Sequence, residues 1–96
     1  MTDEPLLAII GGGQLGRMLG LAALPLGFRC RFLDPSPEAG AGAVGDLIVG
    51  ALDDPVALAR LADGAEVVTY EWEGVPAASI QYLTDNGHAV APGVDA

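Results

Sequence analysis

Continuous apolar runs alternate with segments of helical period along the whole chain. Leu6-Leu7-Ala8-Ile9-Ile10 is an unbroken apolar run ended by glycine, the pattern of a strand buried on both faces. Leu15, Met18, Leu19, Ala22, Ala23 and Leu26 then recur at helical spacing, with Arg17 and Gly20 on other faces. Pro25 kinks or ends this helix, and Gly27 closes it as a left-handed cap. Arg29–Leu33 reads as a second strand that leaves through Asp34-Pro35-Ser36-Pro37, which cannot continue a ladder. Glu38 to Gly45 is rich in Gly and Ala, has no period, and reads as loop. Asp46-Leu47-Ile48-Val49 is a short third strand. Asp53-Asp54-Pro55 then opens a second helix, with an acidic cap followed by proline in the first turn. Its apolar positions are Val56, Leu58, Leu61 and Ala62. Glu66–Tyr70 is a fourth strand, left through Glu71-Trp72-Glu73-Gly74-Val75-Pro76. A third helix runs from Ala77 to Thr84 until Asn86-Gly87 stops it, and His88–Ala91 reads as a short fifth strand.

This order, with crossovers long enough for parallel pairing, predicts an α/β fold: an open, mainly parallel, doubly wound, Rossmann-like sheet with helices on both faces. Residues 1–96 form one domain, and a chain of 96 residues buries one modest core. The chain stops where such a sheet usually continues into another helix, so a longer polypeptide is expected.

Charge narrows the partners. Four basic residues against thirteen acidic ones give a net charge of −9, and four cations cannot hold a nucleic-acid backbone. The 51% hydrophobic fraction argues against disorder, so most of the acids read as a solvated surface. Asp3, Glu4 and Arg17 break the apolar N-terminus, which is neither a signal peptide nor a membrane span. Cys30 has no partner for an internal disulfide and reads as a small buried hydrophobe, and a reducing cytoplasm is the expected compartment.

Between the first strand and helix lies Gly11-Gly12-Gly13-Gln14-Leu15-Gly16. Glycines at its first, third and sixth positions permit a sharp turn, close ligand approach and tight helix–strand packing. The helix N-terminus then directs unpaired N–H groups at whatever lies above the turn. A Walker A loop is ruled out, because Arg17 and Met18 stand where it needs lysine and a hydroxyl. A dinucleotide site fits better. Asp34 closes the second strand, where an acid ordinarily accepts from the adenosine ribose, although Asp34-Pro35 is equally a common structural exit from a strand. On these residues alone an NAD-binding Rossmann module and a non-catalytic dimerisation domain both stay open.

Read together, the blocks point further. Ile9-Ile10-Gly11-Gly12-Gly13-Gln14-Leu15-Gly16-Arg17-Met18-Leu19, Leu33-Asp34-Pro35, Asp53-Asp54-Pro55 and Val67-Val68-Thr69-Tyr70-Glu71-Trp72-Glu73-Gly74-Val75-Pro76 follow one another across most of the chain. In that order they resemble the opening of the N5-carboxyaminoimidazole ribonucleotide synthetase family, ATP-grasp ligases of de novo purine biosynthesis. The resemblance implies a pre-ATP-grasp domain on the substrate side, facing 5-aminoimidazole ribonucleotide. It also implies a reaction in which ATP and bicarbonate give carboxyphosphate, whose carboxyl group passes to the amine of that ribonucleotide. ATP and Mg²⁺ belong to an ATP-grasp domain on the rest of the polypeptide, which is absent from this chain together with a C-terminal domain. The isolated chain is therefore expected to be inactive, with no catalytic residue, no cofactor and no metal of its own. A homodimer is the family's usual assembly, and a chain without its covering domains is expected to self-associate.

The same resemblance selects Gly11, Gly12, Gly13, Gln14, Glu71 and Glu73 as substrate-binding residues. If the exit from the fourth strand stays extended, Glu71 and Glu73 face one side of it. By themselves they read as solvated loop acids; with the resemblance they read as substrate contacts, Glu73 above all. Gln14 stands equally as a contact and as a water-facing residue of the first helical turn. Gly16 reads as a packing residue; Arg17 could meet a phosphate, but a first-turn cation opposes the helix dipole, which leaves an interface as its other reading. Tyr70 and Trp72 read as core or interface aromatics, and His88 has no metal-ligating companion. Gly74 departs from the family's usual asparagine, which removes any side-chain role there.

Overall fold

The computed structural model describes residues 5–70 and 75–90, the side chains of residues 14, 15 and 41 excepted. The predicted order of elements is present: β1 (Leu6–Ile10), α1 (Gln14–Ala23), β2 (Arg29–Asp34), β3 (Asp46–Val49), α2 (Pro55–Ala62), β4 (Ala65–Tyr70) and α3 (Ala77–Asp85). A short 3₁₀ turn, Leu24–Leu26, carries Pro25, and Gly27 closes it in the left-handed region as expected. A second 3₁₀ turn spans Gly40–Ala43, inside the segment that reads as loop from its composition.

All pairings are parallel, in the order β3-β2-β1-β4. The apolar run of β1 is explained by its central place. Leu7 and Ile9 face α1 together with Cys30, Phe32 and Ala23, while Ala8 and Ile10 face α2 and α3 with Leu33, Leu58, Leu61, Val68, Ile80 and Leu83. Helices thus cover both faces, and the sheet is doubly wound. The fifth strand shrinks to one parallel bridge between Val68 and Val90, next to a hydrogen bond from the Val68 N–H to the Ala89 carbonyl (2.8 Å). Residue 91 lies outside the described residues.

The ends of α2 follow from local chemistry. Asp54 Oδ1 accepts from the Val56 N–H at 3.1 Å, and Pro55 stands in the first turn, where its missing N–H is no loss. At the other end, Arg31 Nη1 donates to the carbonyls of Arg60, Leu61 and Asp63 at 3.1, 3.2 and 2.9 Å. A cation from the neighbouring strand therefore satisfies carbonyls that the helix leaves unpaired. Ser79, the buried polar residue of α3, donates to the Leu52 carbonyl at 2.6 Å and ties the loop after β3 to that helix. Asn86 and Gly87 donate back to Tyr82, Leu83 and Thr84 and end α3 where predicted.

Two packing expectations are corrected. Gly20 lies on the buried face of α1, whereas Met18 (58% exposed) and Leu26 (74%) of the apolar set point to solvent and Ala22 is exposed with them. The sheet-facing positions are Gly16, Leu19, Gly20 and Ala23, three of them small, because α1 comes close to β2 at Gly20. In α2, Val56 is exposed and Ala57 is buried in its place, since one helical position further on faces the sheet.

Candidate functional site

Strand order locates the site. The chain builds β1, β2 and β3 in one direction and then returns to place β4 on the other side of β1. In an open α/β sheet the usual ligand position is the crevice outside the carboxyl ends of the strands at such a reversal, here β1 and β4. Ile10 pairs with Tyr70, so the glycine turn and the segment beginning at Glu71 start from the same level of the sheet.

The β1 side of this crevice is described in detail. Gly11 adopts φ 106°, a conformation that side chains disfavour, and its N–H extends the ladder by donating to the Leu33 carbonyl at 2.7 Å. Gly12 is buried, and its N–H donates to Asp34 Oδ2 at 2.8 Å. Gly13 is the extended residue before α1, and its carbonyl accepts from the Arg17 N–H at 2.9 Å. The three glycines therefore stand together at the carboxyl end of β1, and the helix dipole of α1 opens beside them. Gln14 begins that helix. Its side chain, like residues 71–74 with Glu71, Trp72, Glu73 and Gly74, lies outside the described residues.

Asp34 takes the structural of its two readings. Besides Gly12, it accepts from the Ser36 N–H through Oδ1 at 2.9 Å, so each carboxylate oxygen already carries a backbone donor. The NAD reading, which needs this carboxylate for a ribose, is not favoured. Arg17 is exposed, and Tyr70 packs on the core beneath α2 and α3, in line with its reading as a core aromatic. Cys30 is buried, which pushes its thiol above the ordinary value near 9.0. Among the described residues no group of His, Cys, Asp and Glu is placed to hold a metal, and no helix is long and apolar enough to cross a membrane.

A cleft of about 420 Å³ lies away from this crevice, lined by Pro55, Val56, Ala59, Arg60, Asp63 and Tyr82 between α2 and α3. It brings together none of the predicted site residues. Sequence reasoning missed the carboxylate of Asp34 as a partner of the glycine turn. The signal was an acid at the end of the strand beside β1, read for a ligand and not for the turn itself.

The fold defines the class: a doubly wound α/β domain whose strand order reverses at β1 and β4. The chain belongs to the family described as the ribonucleotide synthetase preATP-grasp domain, whose profile matches residues 6–96. It is 47% identical over 78 residues to the N5-carboxyaminoimidazole ribonucleotide synthase of Pseudomonas aeruginosa, covering 81% of this chain and 22% of that protein. The crystal structure of N5-carboxyaminoimidazole ribonucleotide synthetase from Thermus thermophilus superposes with a TM-score of 0.87 at 52% identity, covering 93% of this chain and 24% of that one. A synthase from Aspergillus clavatus, solved with ADP and 5-aminoimidazole ribonucleotide, superposes with a TM-score of 0.82 at 26% identity, covering 99% and 26%. This chain thus spans about a quarter of the relatives it matches.

Proposed function

We propose that residues 1–96 are the substrate-side, pre-ATP-grasp domain of an ATP-dependent 5-(carboxyamino)imidazole ribonucleotide synthase of purine biosynthesis. The whole enzyme joins ATP, bicarbonate and 5-aminoimidazole ribonucleotide into the N5-carboxylated ribonucleotide, ADP and phosphate. This domain supplies a wall of the ribonucleotide site from Gly11, Gly12, Gly13, Gln14, Glu71 and Glu73. ATP and Mg²⁺ bind an ATP-grasp domain on the same polypeptide, so the isolated chain binds no cofactor and turns over no substrate. The observation that supports the reading is the strand order, which makes β1 and β4 neighbours and pairs Ile10, just before the glycine turn, with Tyr70, just before Glu71 in the chain. Its relatives are named as synthases of this product, and one was solved with the aminoimidazole ribonucleotide and ADP.

A cytoplasmic enzyme that works as a homodimer completes the proposal. In support of an interface, α1 and the turn after it present Met18, Leu21, Leu24 and Leu26 to solvent. The test is a chimera in which this chain replaces the matching N-terminal quarter of the Thermus thermophilus enzyme. ADP release that depends on 5-aminoimidazole ribonucleotide is expected. A folded chimera that hydrolyses ATP without responding to the ribonucleotide, or an isolated chain that binds NAD, sinks the reading.

A further inference from the structure

Ordinarily, an acid at the carboxyl end of the second strand of a doubly wound sheet reaches out to a ligand's ribose. Here it is turned onto the protein. Asp34 gives one carboxylate oxygen to the Gly12 N–H (2.8 Å) and the other to the Ser36 N–H (2.9 Å), while its backbone carbonyl accepts from the Gly50 N–H (3.1 Å). One residue therefore ties together the loops that follow β1, β2 and β3. Gly12 is clamped from the side as well. A Cβ there would lie 3.0 Å from the Cβ of Asp34, 3.2 Å from that of Ala39 and 3.4 Å from Leu47 Cδ1.

We propose that Asp34 is the positioning residue of the crevice, holding the Gly12 amide so that the glycine turn keeps the shape that receives the ribonucleotide. The inference rests on the substrate-side reading above and refines it. Gly12 shapes the wall without donating to the ligand, and the donors the turn offers begin at Gly13. Removing the carboxylate strands a buried N–H, and the turn relieves that by moving. A charge-assisted bond of this kind is worth roughly a tenfold or larger change in an equilibrium.

The active chimera tests this through Asp34→Ala and Asp34→Asn. Asp34→Ala raises KM for 5-aminoimidazole ribonucleotide by at least roughly tenfold and leaves KM for ATP within about twofold, because only the turn loosens. Asp34→Asn keeps one accepting oxygen but sets its NH2 against the other backbone N–H, so it recovers only part of the loss. An unchanged ribonucleotide KM in Asp34→Ala, or equal changes in both KM values, overturns the proposal. If the unsubstituted chimera is inactive, the substrate-side reading fails by itself, and amide exchange in this chain decides the role of Asp34. There Gly12 exchanges at least roughly tenfold faster in Asp34→Ala while Phe32 and Leu33 are unchanged. An unaltered Gly12 rate overturns the role. If Asp34→Ala does not fold, Asp34→Asn takes its place in both measurements, with a smaller shift in the same direction as the supporting result and none as the overturning one.

Discussion

A Cβ placed on Gly20 would stand 2.8 Å from Cζ of Phe32 and 3.1 Å from Cγ2 of Val44, so α1 rests on β2 at glycine distance. Phe32 is fully buried and has nowhere to retreat. Gly20→Ala gains about 1 kcal/mol of helix propensity but overpacks this contact by about 1–3 kcal/mol. The overpacking wins, and thermal unfolding of the variant is expected several degrees lower. Combining it with Phe32→Leu relieves the clash, so the double variant loses less than the two single losses summed. Additive losses would show that the ring and the glycine do not meet.

Arg31 offers a second handle, at the far end of α2 from its proline. Its guanidinium reaches three carbonyls in the last turn of α2 and just beyond it. Arg31→Met keeps the apolar stem and removes the donors, for an expected loss of about 1–2 kcal/mol in denaturant unfolding. Arg31→Lys restores only part, because all three bonds leave one guanidinium nitrogen, and the shorter, more flexible lysine stem does not hold its ammonium at that point. Full recovery by lysine would mean that charge alone matters at this helix end.

Much of this fold was legible because each local rule pointed the same way. Asp54-Pro55 starts α2 and Asn86-Gly87 stops α3, both through chemistry contained in a few adjacent residues. The inner face of α1 was not legible from large apolar residues. Periodicity says which positions share a face, not which face meets the sheet, and the true signal was the run of small residues at Gly16, Gly20 and Ala23. Arg31 carries no local signal of its role, since its helix partner is adjacent only after the sheet is assembled. The crevice was half legible. Gly11–Gly13 and the exit beyond Tyr70 each read as strand ends, but only the order β3-β2-β1-β4 makes them neighbours.

The two glutamates of that exit are distinguishable in the active chimera. Glu73→Gln keeps the shape and loses the charge that the ribonucleotide's amine or hydroxyls would meet. We expect its KM for 5-aminoimidazole ribonucleotide to rise roughly tenfold, as for a lost charge-assisted hydrogen bond, with KM for ATP unmoved. Glu71→Gln shifts the same constant less. A change confined to ATP would assign this segment to the nucleotide side.

The outer face of α1 bears on assembly. Met18 and Leu21 are one helical turn apart and 58% and 48% exposed, with Leu24 and Leu26 continuing the surface beyond the helix. Exposed apolar surface of this kind favours association in spite of a net charge of −9, more so as salt screens the repulsion. Light scattering of the isolated chain is expected to show oligomers that grow with salt. Met18→Lys together with Leu21→Glu should return it to monomer without lowering its unfolding temperature. A wild-type chain that stays monomeric at high concentration and high salt would rule this face out as an interface.

Burial of Cys30 makes one pH dependence predictable in sign. In the folded chain desolvation raises the thiol above its ordinary value near 9.0, whereas the unfolded chain keeps that value. Below it both states hold the proton, and Cys30 adds no slope. As pH rises through it, the unfolded chain releases the proton first, which favours unfolding. Stability therefore falls with pH until the higher folded value is reached and then levels off. Cys30→Ala removes the thiol's part of this slope and should make it shallower over the same alkaline window, even though the lost side chain lowers stability at every pH. The buried thiol should also react slowly with a disulfide reagent at neutral pH and at full rate only in denaturant. Rapid labelling of the native chain, or an alkaline slope unchanged in Cys30→Ala, would place this thiol in water and not against Ile9 and Phe32.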